Sequence, residues 1–176
     1  AEPIYSGDGF TQYLLHTAAH RTAVCRLYQK ESDRLTVVIA PDSYDISPLV
    51  AMDASVLAVT PWAMQTTYAK RRAGYDAETC LFNAAAVLGR CVMADRVNEV
   101  VAAIGHAPGL TGVRFVDMLG AEAGGPVALL AACLDERIGR CVLLESQVSW
   151  DDMYGKRMYF LPETTIVPGM ARVADI

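Results

Sequence analysis

The chain has 176 residues, of which 53% are hydrophobic and 20% are charged, and its formal net charge is −5. This apolar content supports one compact core and excludes an intrinsically disordered chain, so we expect a single domain over residues 1–176. Acidic and basic residues are scattered, which favours neither nucleic acid nor an anionic membrane surface as a partner. No apolar run approaches the roughly 20 residues that a transmembrane helix needs.

The N-terminus and the cysteines are the features of the sequence that bear on its compartment. The sequence begins at Ala1 without an initiator methionine or a basic-then-apolar leader, which fits either a product of signal cleavage or a piece of a longer chain. A secreted or periplasmic location is favoured over a cytoplasmic one. No CxxC pair is present, so neither a disulfide framework nor a zinc ribbon is predicted, and most cysteines are expected to be small buried residues. They are Cys25, Cys80, Cys91, Cys133 and Cys141.

In chain order, the first 60 residues predict one helix and two strands. Phe10 to Tyr28 has apolar residues at helical spacing and few breakers, which predicts a helix. Leu35 to Ala40 is a β-branched run that ends at Pro41, and this predicts a strand buried on both faces. A second such run, Ser55 to Thr60, also ends at a proline.

The middle of the chain reads as a long helical stretch followed by a turn. Ala77 to Ile104 is helical in pattern, with an interruption near Gly89. In its second part, the charged residues Asp95, Arg96 and Glu99 alternate with an apolar stripe and are expected on the polar side of the helix. The glycines and the proline of Gly105 to Gly109 then predict a turn.

The last strongly patterned segment alternates strand, helix and strand. Val113 to Leu119 and Ile138 to Leu144 predict strands, and Pro126 to Leu134 predicts a helix with proline in its first turn. Strands that alternate with helices in this way require parallel βαβ units with right-handed crossovers. We therefore expect the α/β class, with a mostly parallel sheet and helices on both faces.

The turn between the third strand and its helix is the most informative motif. It reads Gly120-Ala121-Glu122-Ala123-Gly124. In α/β-hydrolases a G-x-S-x-G turn exposes the nucleophile above the sheet, because small flanking residues tolerate the strained backbone. Here Glu122 occupies the nucleophile position. The same residues are also typical of a glycine-rich turn that opens a helix in any α/β protein.

The wider segment Val113 to Glu145 resembles the central part of the acetyl xylan esterase-like α/β-hydrolases. The likeness extends to Leu35–Pro61, to Asp95–Ile104, and to Ile166–Met170 with Ala174-Asp175. These segments are spread over residues 35–175 and together comprise 77 of the 176 residues. The resemblance implies a partial α/β-hydrolase-like three-layer sandwich that lacks its C-terminal strands.

The residues needed for ester hydrolysis are incomplete. Triad chemistry on this fold needs a nucleophile, an acid and a histidine in that chain order. The three histidines, His16, His20 and His106, all precede Glu122. A carboxylate can itself be a nucleophile, as in dehalogenase-like relatives, but their intermediate is cleaved with the help of a downstream histidine. We expect a pseudoenzyme rather than an active esterase.

The other polar candidates each have a structural alternative. His16 and His20 share the spacing of a two-histidine metal site, but the HExxH glutamate is missing, so a surface pair is expected and neither a metal nor a cofactor is predicted. His106 is expected to be an exposed turn residue. Asp42 follows the first strand where hydrolases build the oxyanion hole, without a supporting His-Gly-Gly motif.

Two further carboxylates and an aromatic residue follow the fourth strand. Asp151 and Asp152 can accept hydrogen bonds from a sugar at the rim of the sheet, or cap the next helix. Trp150 begins an aromatic stretch that can stack on carbohydrate or cover the sheet edge.

Three functions are consistent with this pattern. The first is a module of the carbohydrate esterase type without activity of its own, which binds a carbohydrate ligand or a protein partner. The second is an active acetyl-carbohydrate esterase whose histidine lies on a missing C-terminal segment. The third is an assembly domain of a secreted polysaccharide-processing system. An exposed sheet edge would also favour a homo-oligomer.

Overall fold

The protein is built around one mixed sheet, seen in a computed structural model that describes residues 1–18, 21–62, 64 and 77–146. Within these ranges the elements are β1 (Glu2–Gly7), β2 (Phe10–Ala18), β3 (Arg21–Tyr28), β4 (Leu35–Ile39), α1 (Ser47–Val50), β5 (Ser55–Thr60), α2 (Ala77–Val87), α3 (Val92–Thr111), β6 (Val116–Ala121), α4 (Gly124–Leu134) and β7 (Ile138–Leu144).

The seven described strands lie in the order β1-β2-β3-β5-β4-β6-β7. Strands β4 to β7 pair in parallel, whereas β1, β2 and β3 pair antiparallel with their neighbours. Five strands therefore point one way, and only β1 and β3 of the described strands point the other. This confirms the predicted α/β class with a mostly parallel sheet.

The helix predicted over Phe10–Tyr28 is wrong, because this segment forms the antiparallel strands β2 and β3. The buried side chains recur at every second residue, with Ala23, Cys25 and Leu27 on β3 and Leu15 on β2. This period of two belongs to a strand that buries one face. Pairing of β3 with β5 decides the conformation, since tertiary context overrides the apparent helical spacing.

The turn predicted over Gly105–Gly109 is also wrong, because α3 continues through it. Ile104 and Ala107 are each 1% exposed, so packing against the sheet holds this part of the helix. Pro108 lies in the last turns, where losing one N–H costs least. The helix ends at Gly112, whose φ of 75° suits glycine and whose N–H donates to the Pro108 carbonyl at 2.9 Å.

The remaining elements lie close to the predicted ones. The interruption near Gly89 separates α2 from α3, and Gly89 has a φ of 66°. Strand β6 runs from Val116 to Ala121, slightly later than predicted, and α4 begins at Gly124 rather than at Pro126.

The two faces of the sheet are covered unequally by the described residues. On the first face, α3 and α4 bury the larger apolar cluster, which includes Val37, Val100 and Ala128. On the second face, a smaller cluster is covered by α1 and the loop before it. A groove of about 530 Å³ remains on this second face, lined by residues such as Val56 and Val142. The expected coverage by helices on both faces is therefore uneven.

The turn between α4 and β7 is closed by Asp135. Its carboxylate accepts hydrogen bonds from the backbone N of Arg137 at 3.0 Å, from Nε at 2.8 Å and from Nη2 at 2.5 Å. The guanidinium and backbone N–H of Arg137 lower the pKa of this carboxyl. The resulting stability is present above the unfolded-state pKa of about 3.9 and is lost as pH falls through the lower folded-state pKa.

We therefore expect Asp135→Asn to lower the free energy of unfolding by about 1–2 kcal/mol at neutral pH. The difference from the wild type should shrink as the pH is lowered through the folded-state pKa, because protonation then removes the ionic hydrogen bonds from the wild type as well. Urea unfolding of both proteins along a pH series measures this, and a difference that does not change with pH would contradict it.

Candidate functional site at the carboxyl edge of the sheet

Glu122 lies at the topological switch point of the sheet. Strand β4 leads to β5 on one side, whereas β6 leads to β7 on the other. The carboxyl ends of the adjacent strands β4 and β6 therefore flank the crevice where open α/β sheets bind their ligands. Gly120 of β6 pairs with Ile39 at the end of β4, and Glu122 follows β6 directly.

The backbone at Glu122 is sharply bent. Its φ is 50°, in the left-handed region that L-residues with side chains seldom adopt, at a cost of about 1 kcal/mol or more. The Glu122 N–H donates to the Leu144 carbonyl at 3.0 Å, and its own carbonyl accepts from the Gly125 N–H at 3.1 Å. The side chain is exposed and precedes the N-terminus of α4, where the helix dipole favours a negative charge.

Two glycines of the turn are required by close approach of neighbouring atoms. A Cβ on Gly120 would lie 2.6 Å from the Ala128 Cβ and 2.7 Å from the Gly125 Cα. A Cβ on Gly124 would lie 2.1 Å from the carbonyl oxygen of Ile39. The first glycine of the G-x-x-x-G motif is therefore required by close packing against α4, and the second by close packing against β4.

The imidazoles that the structure describes lie away from this bend. His16 is exposed on β2, which is four strand spacings, or about 19 Å, from β6. It is on a strand, so the predicted helical pairing with His20 is wrong; His20 itself lies outside the described residues. His106 is half-buried within α3 and is not the exposed turn residue that was expected. Arg96, near the start of α3, contacts the loop after β5 at the carboxyl edge of the sheet. His106 lies ten residues further along the helix, about 15 Å towards the opposite edge.

The loop after β4 carries a carboxylate where an oxyanion hole needs a donor. Asp42 Oδ1 accepts a hydrogen bond from the Thr60 hydroxyl at 3.0 Å, which ties this loop to the end of β5. Pro41 has no N–H to donate. The N–H of Ala123 is the other donor that this fold would use. A negative charge on the loop opposes the charge that develops in ester hydrolysis.

Cys25, Cys141 and Cys133 are poorly suited to act as nucleophiles at the bend. Burial raises the pKa of the Cys25 thiol to about 12, and this residue is 1% exposed. Burial also raises the pKa of Cys141 on β7. Only Cys25 is fully buried, whereas Cys80 and Cys133 are exposed, so the expectation that most cysteines are buried is wrong. Cys133 lies near the far end of α4, about 14 Å along the axis from its start.

Glu145 is a neighbour that the sequence did not single out. It follows β7, is exposed and has a φ of 50°, as Glu122 does. The hydrogen bond from Glu122 to Leu144 places the two strand ends side by side. The next residue, Ser146, has a buried hydroxyl without a hydrogen-bond partner among the described residues, and it lies against Gly125. The position directly after a predicted strand is the signal that could have identified Glu145.

Two buried charges hold the loop after β5. The Trp62 N–H donates to Glu99 Oε2 at 2.8 Å, and the Trp62 carbonyl accepts from Arg96 Nε at 3.0 Å. Arg96 is 0% exposed and Glu99 is 3% exposed, so the expectation that they form a polar surface of α3 is wrong. They are buried because they satisfy backbone groups of this loop.

Three predicted ligand residues lie beyond the part of the chain that the structure describes, and two kinds of feature are absent from the described part. Trp150, Asp151 and Asp152 lie outside the described residues. Among the described helices, none combines the length and the hydropathy needed to cross a bilayer. The described side chains also contain no group of three or more histidines, cysteines or carboxylates arranged to hold a metal ion.

Comparison with known proteins gives the class of fold. No protein-family model and no curated protein sequence matches the chain. Acetyl xylan esterase 1 of a Thermoanaerobacterium species aligns with a TM-score of 0.59 at 14% identity, over 89% of this chain and 56% of that enzyme. A cold-adapted esterase from an Arctic intertidal metagenomic library aligns with a TM-score of 0.55 at 16% identity, over 79% of this chain and 62% of that esterase. An esterase of Pyrococcus furiosus aligns with a TM-score of 0.57 at 10% identity, over 79% of this chain and 51% of that esterase.

The chain therefore has an esterase-like α/β-hydrolase fold, as the resemblance in the sequence implied. It spans between 51% and 62% of the length of these three esterases.

Replacement of Glu122 by glycine tests the strain at the bend. We expect Glu122→Gly to raise the free energy of unfolding by about 1 kcal/mol, since glycine adopts a positive φ without steric cost. Glu145→Gly should behave alike, whereas Glu136→Gly is the control, because Glu136 has no positive φ. Urea unfolding measures all three, and equal effects at the three sites would contradict the prediction.

Proposed function

We propose that this chain is an α/β-hydrolase-like module that does not hydrolyse esters by itself and binds carbohydrate at the carboxyl edge of the sheet, around Glu122. The observation that carries the proposal is the bend itself. Its positive φ directly after a buried strand supports a nucleophile-type turn, but a carboxylate occupies the position, and the three histidines of the chain all precede it. Of the two described histidines, His16 lies on β2, four strand spacings from β6, and His106 lies far along α3 from its start.

The chemistry of the edge supports a neutral, hydroxyl-rich ligand. Glu122, Glu145 and Asp42 are exposed at the ends of β6, β7 and β4, and carboxylates are strong acceptors for sugar hydroxyls. The same charges repel anionic ligands, in keeping with the net charge of −5. The fold is shared with an enzyme named acetyl xylan esterase, which supports a carbohydrate as the ligand.

An active ester hydrolase is the second candidate, favoured by the intact glycine contacts of the bend. Glu122 would then attack the ester carbonyl to form a mixed anhydride and expel an alkoxide, which takes a proton from solvent to become the free alcohol. Water would hydrolyse the anhydride to acetate and the Glu122 carboxylate, returning two protons to solvent. A histidine on a further segment of a longer protein would have to activate that water.

Two assays on the chain separate these candidates. We expect no release of acetate from acetylated xylan above the level of Glu122→Gln, together with retardation of the wild type in native gels that contain xylan. Glu122→Ala should reduce that retardation. Acetate release that Glu122→Gln abolishes would support the hydrolase, and a wild type that no polysaccharide retards would overturn the proposed binding function.

A further inference from the structure

The buried pair Arg96 and Glu99 is not explained by the bend at Glu122. Burying a guanidinium and a carboxylate is costly unless both are well hydrogen-bonded, and such pairs give less stability than apolar packing of the same volume. Both side chains contact the same residue, Trp62, through its backbone N–H and carbonyl. These buried charges therefore fix the position of one residue of the loop after β5.

Trp62 lies on the same edge of the sheet as Glu122. Strands β5 and β6 flank β4, so the loops after β5 and β6 start about two strand spacings, or roughly 10 Å, apart. The loop after β4 lies between them, and the hydrogen bond from Thr60 to Asp42 joins it to the β5 loop. The indole is 45% exposed, although its backbone is held by buried groups.

A polar cavity on the second face of the sheet has Thr60, the last residue of β5, among its lining residues. It has a volume of about 230 Å³ and is lined by an amide, a guanidinium, a carboxylate and a hydroxyl, together with two small apolar side chains. A set with both donors and acceptors suits a neutral polyhydroxylated ligand, whereas the guanidinium disfavours a cation. The lining residues are Gln12, Val24, Arg26, Asp42, Ala58 and Thr60.

We propose that Trp62 is a stacking platform for a sugar ring of a neutral polysaccharide, with Arg96 and Glu99 as the positioning residues that hold it at the edge of the sheet. This inference rests on the proposed function and deepens it by naming the contact. An indole presents an apolar face to the C–H face of a sugar ring. A backbone that is already fixed loses little entropy on binding, so the platform binds more tightly than a mobile one.

The binding test uses the intrinsic fluorescence of Trp62. The chain has two tryptophans, so Trp150→Phe leaves Trp62 as the single reporter. Titration of this variant with xylotetraose should change its emission in a saturable way. In calorimetric titrations of the otherwise unmodified chain, Trp62→Ala should weaken binding about tenfold, Trp62→Phe should weaken it less, and Phe115→Ala, at an exposed aromatic residue before β6, should leave it unchanged.

The positioning role is tested by Glu99→Gln, which keeps the shape and removes the charge. We expect weaker binding and a lower fluorescence anisotropy of Trp62, which a general loss of stability would not produce well below the melting temperature. In a double-mutant cycle, Glu99→Gln should cost little affinity when Trp62 is already alanine.

The outcomes distinguish this inference from the proposed function. If the wild type binds xylotetraose and Trp62→Ala binds it equally well, the platform is overturned and the proposed function stands. If the wild type binds no xylan and no xylotetraose, both are overturned. Saturable binding of choline in place of the sugar, lost in Trp62→Ala, would overturn the assigned ligand class.

Discussion

Replacing Gly124 with alanine is expected to lower the free energy of unfolding by about 3 kcal/mol or more. The new Cβ would lie 2.1 Å from the carbonyl oxygen of Ile39, and this neighbour is backbone at the end of a buried strand, so it has no rotamer with which to move away. Relief requires α4 to shift away from β4, which would open the core between them. The same shift would move Glu122, so ligand binding should fall together with stability.

Gly109→Ala is the matched control for this prediction. Gly109 lies in α3, and a Cβ there meets nothing within 4 Å. Alanine should therefore leave stability unchanged or raise it by up to about 1 kcal/mol, because glycine is a poor helix former. Urea unfolding of both variants measures the contrast. A Gly124→Ala protein as stable as the wild type would mean that the bend does not pack against β4 in this way.

Replacing Arg96 with alanine is expected to lower the free energy of unfolding by about 3–5 kcal/mol. The change removes the donor to the Trp62 carbonyl and leaves a cavity at a site with 0% exposure. It also removes a buried positive charge from the position one turn before Glu99, which is 3% exposed.

Arg90→Ala is the control, since it removes an arginine whose ion pair is at the surface. Arg90 Nη2 lies 2.8 Å from Asp95 Oδ2, but the arginine side chain is 47% exposed. Pairs of this kind contribute at most about 1 kcal/mol. Thermal and urea unfolding at neutral pH should separate the two variants clearly, and similar losses in both would argue against a structural role for the buried charges.

The sheet could be predicted from sequence where its strands are buried on both faces. Leu35–Ala40 and Ser55–Thr60 are short β-branched runs that end at proline, and the structure places β4 and β5 there. The pattern of Phe10–Tyr28 predicts a helix wrongly because β2 and β3 each bury only one face, and their apolar residues are sparse enough to fit either the helical or the strand period. Pairing with β5 resolves the ambiguity, and that partner is distant in the sequence.

The candidate site was predictable only where local geometry requires particular residues. Gly120 and Gly124 predict the bend, because a side chain at either position would collide with neighbouring atoms. Arg96 and Glu99 gave no such signal. An amphipathic helix normally exposes its charges, and their burial depends on Trp62, which lies 34 and 37 residues earlier in the chain.

The unequal coverage of the two sheet faces by the described residues has a consequence for the thermodynamics of unfolding. Met52 and Val142 are 58% and 50% exposed beside the groove on the second face. Apolar surface that is already hydrated in the native state adds nothing to the heat capacity increment of unfolding. This part of the sheet should therefore contribute less to the curvature of the free energy of unfolding with temperature than the face beneath α3 and α4 does. It should also contribute less to the slope of the free energy of unfolding against denaturant concentration.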